Sequence, residues 1–154
     1  MSDVTRKVDL LPVSASAGIP AAAVDLLDEA LDLEGQAHRV LPGGRLVRIG
    51  IGGGRHQLVQ VLGVANVPTG GPGLLLASPC APAEAERYAA MLRVNATLSL
   101  GAVELRNLGG TDFFVLSATL AVDGLTVEAL RHSLRAIAER ADKLEEVLTG
   151  GDAR

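Results

Sequence analysis

The last third of the chain carries the pattern that most restricts its fold. Val127, Leu130, Leu134, Ile137, Ala141, Leu144 and Leu148 recur at alternating spacings of three and four. That spacing puts all of them on one stripe of a helix about six turns long. Thr126, after the Asp123-Gly124 turn, is the expected N-cap, and Gly150-Gly151 the expected stop. Each larger aliphatic side chain gains roughly 1.5–3 kcal/mol on burial, before the entropy of ordering it is subtracted. A continuous stripe of them therefore needs a surface to dock on. The run spans about three heptads without a pattern of opposite charges beside the stripe, so packing on a sheet is favoured over a coiled coil.

The preceding residues supply that sheet. Val47, Ile49 and Ile51 alternate with Arg48 and Gly50, Gly52 to Gly54 break the run, and Gln57 to Ala65 resumes it, a hairpin pattern. Leu74 to Ala77 is a short apolar strand completing a meander, with Ser78 to Pro82 marking a boundary. Further on, Ala96, Leu98 and Leu100 alternate with Thr97 and Ser99, then Val103 and Leu105 with Glu104 and Arg106. Phe114, Leu116, Ala118 and Leu120 return after a turn at Gly109 to Asp112. A first helix opens at Ile19-Pro20, carries Val24, Leu27 and Leu31 at helical spacing, and stops at Gly35. A middle helix covers Ala83 to Val94, with Glu84 and Glu86 in its first turn and Ala85, Tyr88, Met91 and Leu92 as its apolar stripe. The fold class predicted is α+β: an antiparallel sheet of five to six strands with three helices, in the order α-β-β-β-α-β-β(-β)-α. Residues 19–149 form a single domain, flanked by a flexible N-terminal arm (1–18) and a flexible C-terminal tail (150–154).

Composition removes several functions. A chain of 154 residues holds one domain. Its formal net charge of −4, scattered Lys and Arg, and 2% aromatic content leave neither a phosphate-binding patch nor a base-stacking platform, so nucleic acid is not expected. The lone Cys80 excludes an intrachain disulfide and fits a reducing compartment. No run reaches the length of a membrane span, and residues 1–18 do not read as a secretory signal, so a cytoplasmic location is expected. The core is aliphatic and nearly without aromatics, so it buries little area per residue, and a dimer would add to it.

No residue set points to catalysis, to a cofactor or to a metal. Gly50, Gly52, Gly53 and Gly54 precede another strand, whereas a dinucleotide or phosphate loop must open a helix; a hairpin turn is the better reading. His38, His56 and His132 are scattered. Glu34 and Glu128 each stand four residues before a histidine, but a metal needs three or four converging ligands. Cys80 lies in a Pro-flanked segment ahead of a helix, where a lowered thiol pKa is physically possible, yet a buried structural cysteine is favoured. Asp25, Asp28, Glu29 and Asp32, like Glu139, Asp142, Glu145 and Glu146, read as solvated helix faces rather than paired catalytic acids.

From Tyr88 onward the chain resembles the type III secretion chaperone-like fold, including the YbjN-like proteins. The residues that carry the likeness are Leu92-Arg93-Val94-Asn95 at the end of the middle helix, Val122-Asp123-Gly124-Leu125-Thr126 before the last helix, and Ala141-Asp142-Lys143-Leu144 within it. The motifs cover the last third to half of the chain, and the element order covers the whole domain. The resemblance implies a compact protomer, usually a homodimer, that binds another protein or protein segment and is not an enzyme. It also implies that the middle helix supplies the dimer contact, through Tyr88, Met91 and Leu92. The alternative is a small-molecule-sensing regulatory domain on the same fold, with its ligand between sheet and helix.

Overall fold

The apolar stripe at the end of the chain becomes a 23-residue helix, Val127–Thr149, called α3 below. The Thr126 side chain accepts a hydrogen bond from Ala129 N, and Gly150 closes the helix in the left-handed conformation at φ 67°. Leu130, Leu134, Ile137, Ala141, Leu144 and Leu148 are all buried. The structure is a computed structural model that describes residues 18–34, 37–41 and 43–150. The expected arm and tail lie outside the described residues except for Gly18 and Gly150, as does the expected helix stop at Gly35.

Before α3 run α1 (Ala21–Glu34), β1 (Ala37–Leu41), β2 (Gly44–Gly52), β3 (Arg55–Val64), β4 (Gly73–Pro82), a short 3-10 turn (Ala85–Arg87), α2 (Tyr88–Asn95), β5 (Ala102–Leu108) and β6 (Thr111–Ala121). Pro20 starts α1: its carbonyl accepts from Ala23 N and Val24 N at 2.9 and 3.1 Å. The six strands form one sheet in the order β1-β2-β3-β4-β6-β5, and every neighbouring pair is antiparallel. This is the α+β architecture expected, with its sixth strand at Ala37–Leu41, ahead of the meander. The β2–β3 turn uses the predicted glycines, with Gly53 and Gly54 at φ 60° and 79°.

Three segments differ from the sequence pattern. The middle helix expected from Ala83 starts as the 3-10 turn over Ala85–Arg87 and is α-helical only from Tyr88 to Asn95. Ala96 to Leu100 is not a strand: Ala96 and Thr97 end α2 through backbone bonds to Arg93 O and Val94 O, and Leu98 and Leu100 instead pack, half-buried, against the core. Gly101, at φ 77°, then leads into β5, with its Cβ position occupied by the Ser117 carbonyl. Ser78 to Pro82 is not a boundary but the second half of β4, paired with β6 across a bulge between Pro79 and Ala81. The β3–β4 ladder ends at Gln60 and Ala77, so the prolines sit where no β3 partner needs their N–H. Side chains bridge the opening. Gln57 Nε2 donates to Ser78 Oγ and Pro79 O, and Ser78 Oγ donates to Leu58 O at 2.6 Å.

Partners across an antiparallel ladder share a face. On the inner face Val47, Val61, Leu74, Leu76 and Leu116 form one cluster with α1, α2 and α3. Three ties pin α3 to the β2–β3 hairpin: Arg135 Nη1 donates to Gly50 O at 3.3 Å, Arg55 Nη2 meets Asp142 Oδ2 at 2.6 Å, and the same nitrogen lies 3.9 Å from Glu146. Asp142, expected on a solvated helix face, is therefore buried, because the hairpin turn closes over it.

Candidate protein-binding surface at the β5 edge

α2 is short and lies beside β5 at one end of the sheet. Its residues 88, 91, 92 and 95 occupy neighbouring positions on consecutive turns. The structure separates the trio expected to make one contact. Met91, 5% exposed, points into the core and belongs to the inner cluster. Tyr88 (38% exposed) and Leu92 (70% exposed) point outward. Tyr88 is held by an edge-to-face contact with the Phe114 ring, centroids 6.0 Å apart and planes at 88°. Leu105, 47% exposed, joins the outward pair. Its ladder partner is Phe114, so it shares the face on which Tyr88 meets that ring. Sequence reading assigned Leu105 to the buried side of an alternating strand. The alternation is real, but the described helices do not extend far enough to cover its last inward apolar side chain.

Asn95, the last residue of α2, fixes the helix to the strand. Its Oδ1 accepts from Val103 N at 2.6 Å and its Nδ2 donates to Val103 O at 3.1 Å. One side-chain amide thus stands in for a neighbouring strand at one position. Val103 turns its backbone groups away from β6, and in an antiparallel ladder every second residue does the same. Leu105 and Asn107 therefore present their N–H and C=O to the outer edge, and among the described residues no strand lies beyond β5. The surface combines three apolar side chains with an open row of backbone groups. This is the equipment for adding a strand from another chain.

The other candidates have been placed elsewhere. Cys80 is buried in β4; burial pushes its thiol up to about 12, and Glu145 pushes the same way against a lowering backbone hydrogen bond at Leu116. Such a thiol is not ionised near neutral pH and is a poor nucleophile. His38, His56 and His132 are all exposed, on β1, β3 and α3. His56 Nδ1 lies 3.2 Å from Arg48 Nη2, and Glu128 meets Arg131 at 3.4 Å. The Glu34 side chain of the expected Glu34–His38 pair lies outside the described set. Among the described residues no three His, Cys, Asp or Glu side chains gather as metal ligands, and no helix is long and apolar enough to cross a membrane. A cleft of about 400 Å³ opens between residues 98–100 and α3, lined by Leu98, Leu100, Ala136, Glu139, Arg140 and Lys143.

Comparison with known proteins bears on this surface only through the fold. The sequence pattern of the YbjN family, described as "Putative bacterial sensory transduction regulator", matches residues 23–149. The crystal structure of "YbjN, a putative transcription regulator from E. coli" superposes with a TM-score of 0.57 at 14% sequence identity, over 86% of this chain and 94% of that one. At such identity the likeness is one of fold alone. No curated protein matches the chain.

Proposed function

Because the chain belongs to the YbjN family, a family described as regulators, we propose that it is a non-enzymatic, chaperone-like protein-binding module of the cytoplasm. It works as a homodimer through the β5 edge. The observation that carries the reading is Tyr88, Leu92 and Leu105, all exposed, beside backbone groups that no strand among the described residues covers. In a two-fold arrangement the same patch meets itself. The three apolar side chains of one protomer cover those of its partner, and the outward groups of Leu105 and Asn107 find hydrogen bonds. Met91 takes no direct part; it holds α2 in place from inside. The regulatory partner is a protein segment of the same extended kind, and the dimer sets how much edge is left for it.

Sedimentation equilibrium tests this directly. The wild-type chain is expected at dimer mass at micromolar concentration, and Tyr88→Asp/Leu92→Asp at monomer mass with unchanged far-UV circular dichroism. A monomeric wild type ends the reading. The cleft beside α3 favours a second one, a small-molecule-sensing domain whose ligand contacts Arg140 and Lys143. Thermal-shift screening against metabolites separates the two, since a ligand of the folded state raises the apparent Tm.

A further inference from the structure

The arginine and lysine side chains of α3 are paired except at one place. Arg131 meets Glu128 and Arg135 meets Glu139, both at 3.4 Å, and Arg55 from the hairpin takes Asp142 and Glu146. Among the described residues Arg140 and Lys143 have neither a hydrogen bond nor an ion pair. Glu139 stands four residues before Lys143, the order that favours a pair, yet its carboxylate is taken by Arg135 on the turn before. Two like charges three residues apart on a helix repel each other. With Ala136, four residues ahead of Arg140, they share one face of α3. That face is one wall of the cleft of about 400 Å³, and residues 98–100 are the other. Leu98, Leu100 and Ala136 line it as half-buried apolar groups, and among the described residues no aromatic ring does. The cleft therefore joins apolar walls to two unneutralised cations.

We propose, deepening the small-molecule-sensing reading on which this rests, that the cleft binds an amphiphilic acid, an aliphatic chain with one singly charged acidic head. The chain lies against Leu98, Leu100 and Ala136. The head sits between Arg140 and Lys143, relieves their repulsion and accepts a charge-assisted hydrogen bond from each. Other classes fit less well. A cation meets two like charges, and a neutral apolar molecule leaves that repulsion in place. A nucleotide finds no ring on which to stack its base. Glu139, also at the cleft, repels the head little because Arg135 neutralises it. At roughly 30 Å³ for a water-sized group, the volume holds about a dozen heavy atoms, which suits an acid of about eight carbons.

The test is an NMR titration of the full chain, methyl-labelled at Leu and Ala, with octanoate. Saturable shifts of the Leu98, Leu100 and Ala136 methyls are expected. Arg140→Gln/Lys143→Gln should bind roughly tenfold more weakly or worse, with an unchanged Tm because both side chains are exposed. Each methylene removed from the acid should weaken binding about two- to fourfold. Octylamine, the same chain with a positive head, should bind at least about tenfold more weakly than octanoate. Octylamine binding as tightly at the same methyls, or undiminished octanoate binding in the double variant, overturns the acidic ligand and leaves a ligand site in the cleft. Silence of the three methyls towards octanoate, octylamine and 1-octanol alike overturns the sensing reading as well.

Discussion

Among the described residues β1 and β5 are both edge strands, and each leaves a row of backbone groups without a neighbouring strand. β1 is five residues long and shows His38, Arg39 and Val40 to solvent. Shortness and charge discourage a second chain from pairing there. β5 is seven residues long and is treated differently: α2 lies beside it, and Asn95 occupies the edge at Val103. That cover stops before Leu105. One edge is guarded by its own composition, the other by a helix that shields only part of it. An incomplete guard flanked by apolar side chains is what a specific interface needs, whereas a charged short edge discourages pairing in general.

The sharpest way to break this contrast is to loosen the helix that guards β5. Met91→Ala is expected to lower unfolding free energy by roughly 2–5 kcal/mol in urea titration, because it leaves a cavity under α2. Leu33→Ala, an exposed side chain near the β1 end, is expected to stay within about 0.5 kcal/mol; equal costs would mean that α2 does not depend on Met91 for docking. Next in size is association. Leu105→Arg is expected to weaken dimer formation at least tenfold, about 1.4 kcal/mol, as read by sedimentation at several concentrations. Val40→Arg, equally exposed but on β1, should change it less than twofold, and the opposite ranking would move the interface to the other edge. Asn95→Ala removes two hydrogen bonds and frees Val103, so a loss of about 1–3 kcal/mol is expected together with faster exchange of the Val103 amide. The smallest effect is Arg55→Ala. It breaks the contact to Asp142 but touches neither edge, so a small loss of stability in urea titration is expected, with dimer mass unchanged.

Much of this was legible in order of residues, and the misses have physical causes. The stripe of α3, the Thr126 cap and the glycine hairpin were read correctly because each depends on residues a few positions apart. Leu98 and Leu100 share the two-residue spacing of a strand, but they satisfy it by packing on the core and not by pairing. Pro79 and Pro82 imitate a boundary because neither can donate to a ladder; β4 runs through them since Gln57 and Ser78 supply the bonds from the side. Of the expected contact trio, Tyr88 and Leu92 point outward and Met91 does not, a distinction that helical spacing on an eight-residue helix is too short to draw. Leu105 escaped notice because alternation states which face a side chain is on, not whether that face is covered.

The sequence by itself determined the first and last helices, the glycine hairpin, the inward set of the strands it identified and hence the α+β class, since those follow from periodicities of 3.6 and 2 acting over neighbouring residues. Only the tertiary structure decided that β4 lies against β6, that α2 covers part of the edge beyond them, and that Gln60 and Asp142 are buried. Those outcomes depend on which surfaces meet across dozens of residues, and free energy of burial is settled by the neighbour that arrives, not by the residue that waits for it.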